Sequence, residues 1–136
     1  MDNIKQFFTG DRYAKLSGIE LLSVSPGVAV AQMPIQPHHL NAVGTVQGGA
    51  IFTLADLAFA AASNAYGKVA VAINVSITYM KAVSSGTLRA EAREVSANPK
   101  LGSYTVNVFD ENNTLIAVFQ GLVYRKEQSI NFAAKG

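Results

Sequence analysis

The segment that decides the fold runs from Gly48 to Gly67 and reads GGAIFTLADLAFAAASNAYG. It is rich in Ala and Leu, free of Pro and too long for a typical strand, so we predict a helix over residues 49–65 that ends before Gly67. Its single charged residue is Asp56. A helix that is apolar on nearly every side is buried on every side. We therefore expect a sheet against one face and a second copy of the chain against the other.

Strand patterns lie on both sides of this helix. Before it, apolar stretches at 19–24 and 28–35 flank the turn signal SPG at 25–27, which predicts a β-hairpin. After it, four further strands are predicted, covering residues 69–80, 87–95, 103–109 and 114–126. The connections between them are short and contain no helix, so neighbouring strands are predicted to pair antiparallel.

The two ends of the chain are predicted to lie outside this sheet. Residues 1–17 form an N-terminal segment of one or two short helices, with Asp11 as an N-cap and Gly18 as a C-terminal stop. Residues 127–136 are predicted to be a frayed tail. The whole chain, residues 1–136, is predicted to be one domain of the α+β class, a long central helix wrapped by an antiparallel sheet of about six strands.

The composition narrows the classes of function. The chain has 136 residues, of which 49% are hydrophobic and 15% charged. Globular chains typically have about 25% charged residues, so the shortage again favours a surface buried by another subunit. The net charge of +2 is too small to indicate nucleic acid or an anionic membrane as a partner. Because there is no cysteine, disulfides, thiol nucleophiles and cysteine metal sites are excluded.

The apolar helix does not predict a membrane span. Its length approaches the ~20 residues that a span needs, but polar side chains interrupt it at Thr53, Asp56, Ser63 and Asn64. A carboxylate inside a membrane is costly. The N-terminus lacks the apolar region of a signal peptide, so we expect a cytoplasmic protein.

Asp56 has a structural and a chemical interpretation. A carboxylate in the middle of a helix can hold two elements in register through hydrogen bonds, since burial without partners costs several kcal/mol or raises the pKa. The chemical interpretation rests on Gly48 and Gly49 at the start of the helix. Glycine lets backbone N–H groups approach a ligand closely, and the positive end of a helix suits a polarised carbonyl. Because a Gly-Gly pair also marks ordinary turns, both interpretations stay open on these residues.

The spacing of Gly48 and Asp56 implies two chains if the site is catalytic. Asp56 lies eight residues beyond Gly48, which is roughly 12 Å along one helix. A base and an oxyanion donor must both lie about 3 Å from the reacting centre. A two-fold axis would satisfy this requirement by placing Asp56 of one subunit beside Gly48 of another.

The sequence resembles a known family around these residues. The stretch LNAVGTVQGGAIFTLADLAFAAASNAYG at 40–67, followed by VAVAINVSITYMKAV at 69–83, resembles the hot-dog-fold thioesterases of the phenylacetate-degradation (PaaI-like) type. The resemblance covers roughly residues 12 to 125. Its most specific part is the spacing of an Asn, a Gly pair and an Asp. Here these residues are Asn41, Gly48, Gly49 and Asp56.

The resemblance implies a catalytic assignment. Asp56 would be the base or nucleophile, the Gly48 N–H would polarise the thioester carbonyl, and Asn41 would place the carbonyl or the attacking water. The family usually has His before the Gly pair, whereas this chain has Gln47. Gln can donate a hydrogen bond but cannot deliver a proton, which argues against a dehydratase. Hydrolysis tolerates this change better, because a thiol with a pKa of about 8.5 leaves readily as thiolate.

The resemblance also implies where the substrate binds. Gly49 and the basic residues Lys81 and Lys100 are assigned to binding coenzyme A, with Lys100 expected to contact its phosphates. Arg125, at a strand end, is expected to be solvated. His38 and His39 are expected in a solvated loop, because no spacing supports a metal site.

These observations lead to one predicted function and two rivals. The prediction is an acyl-CoA thioesterase that hydrolyses an acyl- or aryl-CoA thioester, with phenylacetic acid degradation as the implied context. Coenzyme A is part of the substrate and no cofactor is expected. The protein is expected to be a homodimer with shared active sites, assembled as a dimer of dimers. The rivals are a non-catalytic acyl-CoA-binding hot-dog protein and a purely structural oligomer. Aromatic, short and medium acyl groups all fit the sequence.

Overall fold

The computed structural model describes residues 2–132. Within this range there are three α-helices: α1 (Asp2–Phe8), α2 (Arg12–Leu16) and α3 (Gly48–Asn64). Six strands form the sheet: β1 (Glu20–Ser25), β2 (Val28–Pro34), β3 (Lys68–Tyr79), β4 (Thr87–Ala97), β5 (Leu101–Phe109) and β6 (Leu115–Ser129). The predicted long helix, both N-terminal helices and all six strands are confirmed, with shifts of up to three residues at their bounds.

The six strands make one antiparallel sheet in the order β1-β2-β4-β5-β6-β3. The predicted hairpin joins β1 to β2, with Ser25 opposite Val28. Gly27 closes its turn at a φ of +83°, a conformation that L side chains rarely adopt. The fold class predicted from the sequence, one long helix against an antiparallel sheet, is therefore confirmed.

Small side chains let α3 lie close to the sheet. The buried face of α3 carries alanines at positions 55, 58, 61 and 62, and the facing strands carry alanines at positions 29, 31, 90 and 92. The largest side chain on the buried face of α3, Phe59, packs over Gly121 of β6 and against the rings of Tyr104 and Phe119. A methyl group at position 121 would lie 2.5 Å from the Phe59 ring, so glycine there sets the separation of helix and sheet.

One stripe of α3 stays partly open. It consists of Gly49, Phe52, Thr53, Asp56 and Ala60, which recur at helical spacing. The expectation that a second copy would cover everything beyond the sheet was too broad, because α1 and α2 also pack on α3. The open stripe that remains is the one that carries Asp56.

The C-terminal tail corrects a prediction. Residues 127–136 were expected to be frayed, but β6 continues to Ser129 and Ile130 is buried against Ile4 and Ala65. The Ile130 N–H donates to the carbonyl of Gly67 at 2.9 Å. An apolar contact and a backbone hydrogen bond fix this segment, and residues 133–136 lie outside the described part of the chain.

Strand β3 is a long exposed edge of the sheet. It pairs only with β6, and its outer edge has no partner within residues 2–132. Val71 and Ile73 are 36% and 54% exposed, and residues 69–80 carry no charge. Natural edge strands are usually protected by charge, proline or a covering element. None of the described helices is both long and apolar enough to cross a membrane.

Candidate active site

The N-terminus of α3 presents a free backbone donor. Gln47 is the N-cap, and its side-chain Oε1 accepts a hydrogen bond from the Gly49 N–H at 2.6 Å. The Gly48 N–H donates to no group among residues 2–132. Orphan N–H groups and the positive end of the helix dipole together favour a bound oxygen that carries negative charge. The glycine pair is therefore split, with one N–H capped and the other available.

Tyr79 holds this helix end against the sheet. Its hydroxyl donates to the Gly48 carbonyl oxygen at 2.8 Å, and a Cβ at position 48 would lie 2.9 Å from its ring. Burial raises the pKa of Tyr79, so the hydroxyl keeps its proton at neutral pH. Tyr79 lies in the stretch at 69–83 that carries the family resemblance, but sequence reasoning gave it no role and missed this contact. The requirement for glycine at position 48 comes from the aromatic ring that lies against it.

Asn41 organises the loop before α3. Its Oδ1 accepts hydrogen bonds from the N–H groups of Val43 and Thr45 at 3.0 and 3.1 Å, and its Nδ2 donates to the Thr45 hydroxyl at 3.0 Å. The Gln47 N–H donates to the His39 carbonyl at the base of the same loop. The side-chain carbonyl of Asn41 is thus fully engaged, and one N–H of its amide is left for a ligand. Its direct role in catalysis stays a prediction.

Asp56 is a half-buried carboxylate without a hydrogen-bond donor. No side chain or backbone group among residues 2–132 donates to it, and it forms no ion pair with them. Burial raises its pKa above the usual 3.8, and the nearby carboxylate of Asp11 raises it further. An Asp that held two elements in register would have partners. The structural interpretation of Asp56 therefore has no contact to support it.

Gly48 and Asp56 are not brought together within one chain. Both lie on α3, eight residues apart, which is roughly 12 Å along the axis. The separation expected from the sequence is confirmed. In a single protomer, the Gly48 N–H and the Asp56 carboxylate are therefore too far apart to act on the same reacting atom.

The two predicted binding lysines lie at different ends of the sheet. Lys81 follows Tyr79 and its N–H donates to the Ile116 carbonyl, so it lies near Gly48. Lys100 directly precedes β5. The first residue of β5, Leu101, is paired with Tyr124 of β6, and Tyr124 is paired in turn with Val71 of β3, so Lys100 lies at the Val71 end of the sheet. From position 71 to position 79 is roughly 27 Å of strand. Of these two lysines, Lys81 is the one that lies near Gly48 within a single chain.

Two predictions about exposed basic residues need correction. His39 was expected in a solvated loop, but it is buried: its Nδ1 accepts from the Gln36 N–H at 2.9 Å and its Nε2 lies 2.7 Å from the Ser17 carbonyl. It ties the loop before α3 to the end of α2. His38 beside it is exposed.

Arg125 was expected to be solvated, but it is held in a polar network. Its guanidinium donates to the Tyr104 hydroxyl at 2.7 Å, to Glu94 at 3.3 Å and to the Leu101 carbonyl at 3.1 Å. The Tyr66 ring lies 5.0 Å below it. The sequence places Arg125 near the end of a strand, which did not reveal these partners, because they lie on other strands and in a turn.

Comparisons with known protein sequences match the region that contains these residues. The sequence model of the Thioesterase superfamily matches residues 43–117, which include Gly48, Asp56 and Tyr79. The acyl-coenzyme A thioesterase PaaI of Escherichia coli strain K12 is 32% identical over 90% of this chain and 89% of its own length. A protein of Archaeoglobus fulgidus is 44% identical over 92% of this chain and 82% of its own length.

Solved structures share the arrangement of helix and sheet. The PaaI protein from the phenylacetic acid degradation operon of E. coli has a TM-score of 0.91 at 31% identity, covering 96% of this chain and 95% of that chain. A variant of the phenylacetic acid degradation protein PaaI from Thermus thermophilus has a TM-score of 0.82 at 36% identity, covering 85% and 100%. The sheet wrapped around α3 is therefore the hot-dog fold.

Proposed function

The chain belongs to the thioesterase superfamily as a hot-dog thioesterase of the PaaI-like type, and from this premise we propose that it hydrolyses acyl-coenzyme A thioesters at sites shared by two subunits. Each site takes Asp56 from one subunit and the Gly48 N–H from the other. The products are a free acid and coenzyme A. The resemblance to PaaI proteins also supports an aryl substrate of the phenylacetate type.

The observation that carries this proposal is the state of Asp56. It is half-buried on an otherwise uncharged helix, and no group of residues 2–132 donates a hydrogen bond to it. A carboxylate that costs stability and holds nothing together is typical of a catalytic group. Burial and the nearby Asp11 carboxylate raise the pKa of Asp56, which makes its ionised form a better base than an exposed Asp.

The proposed chemistry uses the free N–H at the start of α3. The Gly48 N–H donates to the thioester carbonyl oxygen and stabilises the negative charge that develops there. Asp56 either removes a proton from a water that adds to the carbonyl carbon, or adds to that carbon itself. In both routes the C–S bond breaks, its electron pair leaves with sulfur as thiolate, and the thiolate then takes up a proton. A route through an acyl-Asp56 anhydride needs a second step in which water cleaves the anhydride.

Gln47 and Asn41 have supporting roles in this proposal. With its Oε1 engaged by the Gly49 N–H, the Gln47 side chain has only its Nε2 amide left to donate. That amide is a second donor for the carbonyl oxygen or the attacking water. The free N–H of the Asn41 amide serves the same region from the loop.

The edge strand β3 supplies the proposed subunit contact. Two copies of β3 paired antiparallel across a two-fold axis would cover the exposed Val71 and Ile73. The pairing would also give hydrogen-bond partners to the backbone groups on the outer edge of β3 in each subunit. The same axis reverses the strand direction, so the partner's Lys100 end approaches the Gly48 end of the first subunit. Lys81 and a partner lysine would then flank one bound coenzyme A, which carries negatively charged phosphates. Further association into a dimer of dimers is part of the proposal.

The decisive experiment combines two inactive variants. Asp56→Asn removes the carboxylate, and Gly48→Ala displaces the N–H by forcing the helix end away from Tyr79. Each is expected to lose thiol release from phenylacetyl-, hexanoyl- and decanoyl-CoA. Mixed after unfolding and refolding together, they form heterodimers with one intact and one doubly damaged site, which restores about a quarter of the unaltered activity.

Each outcome separates the proposal from its rivals. Loss in both variants with recovery on mixing supports shared catalytic sites. Recovery that fails, although native mass spectrometry shows the heterodimer, contradicts the sharing of sites. Coenzyme A binding without any turnover by the unaltered protein would favour the non-catalytic acyl-CoA-binding protein instead.

A further inference from the structure

A cavity of about 280 Å³ lies between the N-terminal helices, strand β1 and helix α3. Its floor is apolar and is formed by Phe8, Ala14, Ile19, Leu21 and Leu57. Its rim carries two basic and two acidic side chains, Lys5, Lys15, Asp11 and Glu20. We call this space the N-terminal cavity. No step of the proposed hydrolysis uses it.

The N-terminal cavity adjoins the proposed catalytic carboxylate through two lining residues. Leu57 follows Asp56 directly on α3, and Asp11 on the rim is close enough to act electrostatically on Asp56. Asp11 is held in place as the N-cap of α2, where its Oδ1 accepts from the Ala14 N–H at 3.0 Å. A substrate carbonyl placed at Asp56 therefore has this cavity as its neighbour.

We propose that the N-terminal cavity receives the acyl group of the thioester, so that α1 and α2 set which acyl groups are hydrolysed. The inference rests on the proposed function. The acyl group is the apolar part of the substrate closest to the reacting carbon, and the cavity floor is apolar. The rim is balanced in charge, which does not favour the phosphates of coenzyme A but suits an uncharged chain or ring.

The volume of the cavity limits the size of the acyl group. An apolar cavity of ~150 Å³ holds a benzene molecule, which corresponds to about 25 Å³ per carbon. On that scale 280 Å³ holds a single ring with a short linker, or a short to medium aliphatic chain. A palmitoyl chain needs roughly 400 Å³ on the same scale. Phenylacetyl and hexanoyl groups are therefore the fitting class, and palmitoyl is too long.

The test changes the cavity and leaves the catalytic groups intact. Phe8→Ala enlarges the cavity at a half-buried floor position, and Thr9→Trp narrows it from an exposed rim position, so neither change removes a fully buried side chain. Tyr13→Ala is the matched control, because Tyr13 neighbours the lining residue Ala14 on α2 but is 67% exposed and does not line the cavity. For each variant, kcat/KM is measured with acetyl-, phenylacetyl- and palmitoyl-CoA.

The expected result is a change in preference. Phe8→Ala raises the palmitoyl to phenylacetyl ratio of kcat/KM at least tenfold, and Thr9→Trp lowers phenylacetyl turnover at least tenfold while acetyl turnover is kept. Tyr13→Ala leaves the ratios unchanged. Unchanged ratios in Phe8→Ala and Thr9→Trp, in an enzyme that Asp56→Asn inactivates, overturn the acyl assignment and leave the proposed function intact.

A binding measurement decides the assignment even without turnover. If the unaltered protein hydrolyses none of the three thioesters, the proposed function fails. The non-hydrolysable thioethers phenethyl-CoA and hexadecyl-CoA then report on the cavity by calorimetry. A shift of relative affinity toward hexadecyl-CoA in Phe8→Ala supports the assignment, and equal relative affinities in all variants overturn it.

Discussion

The hydroxyl of Tyr79 donates to the carbonyl oxygen of Gly48 at 2.8 Å, and the Tyr79 ring occupies the space that a side chain at position 48 would need. One residue of β3 thus fixes both the identity and the position of the first residue of α3. Because the free N–H of Gly48 is aimed by this contact, the geometry of the proposed oxyanion site depends on the end of the edge strand.

Gly48→Ala is expected to destabilise the protein and to lower kcat. The new methyl group would lie 2.9 Å from the Tyr79 ring and hydroxyl, so the Tyr79 side chain has to shift. Its hydrogen bond to the Gly48 carbonyl is then lost, which costs about 0.5–1.5 kcal/mol. The double variant Gly48→Ala/Tyr79→Ala removes the clash, so it is expected to melt at a higher temperature than Gly48→Ala alone. Thermal melts and kcat for both variants check this. A double variant no more stable than the single one would contradict the steric explanation.

Asp56→Asn is expected to abolish hydrolysis without loss of stability. The pKa of Asp56 is higher in the folded chain than in the unfolded chain, so the folded state binds the proton more tightly. Above that pKa, ionised Asp56 therefore costs stability, and the uncharged Asn does not. We expect a melting temperature at pH 7 that is equal or higher, with the difference shrinking as the pH falls. A clear fall in melting temperature would instead show that the carboxylate holds the fold.

Asp11→Asn is expected to shift the pH dependence of activity. Asp56 must be ionised to act, so kcat/KM falls as the pH drops through its raised pKa. The Asp11 carboxylate contributes to that rise, and removing it lowers the pKa of Asp56 and moves the acid limb to lower pH. Asn is as good an N-cap as Asp, so α2 is kept. An unchanged acid limb would contradict the role of Asp11.

Gln47→Glu separates two roles of the N-cap. Glu keeps an oxygen for the Gly49 N–H and adds a negative charge at the positive end of α3, which stabilises a helix by about 0.3–1 kcal/mol. The same charge opposes the negative oxygen that develops at the Gly48 N–H. We expect a stable protein with kcat at least tenfold lower. Gln47→Ala is the control, and it is expected to lose about 1 kcal/mol of helix-cap stability. Equal kcat values for Gln47→Glu and the unaltered enzyme would exclude an electrostatic effect of position 47 on the reaction.

Arg125→Met is expected to cost about 2 kcal/mol of unfolding free energy, since hydrogen bonds to charged groups contribute about 1.5–3 kcal/mol. Its guanidinium binds Tyr104, Glu94 and the Leu101 carbonyl and is largely shielded from solvent. Arg89→Met is the matched control, because the Arg89–Glu91 pair is more exposed and such pairs contribute about 0–1 kcal/mol. Equal losses in urea unfolding of the two variants would contradict the importance of the network.

The fold was largely predictable because its signals are local. The periodicity of the strands, the SPG turn and the cap at Asp11 act within a few residues, and all appear as predicted. The prediction for the tail was wrong as far as Ile130, because that residue is fixed by Ile4 and Ala65, which are distant in sequence. Local polarity at 127–129 gave no sign of that contact.

The candidate site was predictable only in part. The spacing of Gly48 and Asp56 follows from one helix, so their separation could be predicted. The contacts of Tyr79 with Gly48 and of His39 with Ser17 join residues 31 and 22 positions apart. Whether a side chain donates, accepts or stays free depends on such long-range neighbours. The capped Gly49 N–H and the free Gly48 N–H look alike in the sequence for this reason.

If subunits pair through the open edge of β3, the proposed activity depends on the protein concentration. A protomer released by dilution would keep its fold, but its Asp56 would lack the Gly48 N–H of a partner. Specific activity is therefore expected to fall at low protein concentration and to return on reconcentration. The same released protomer exposes an uncharged strand to any other strand in reach. In the proposed dimer, dissociation and misassembly would therefore start from the same surface, and the contact that completes each site would also protect the chain from aggregation.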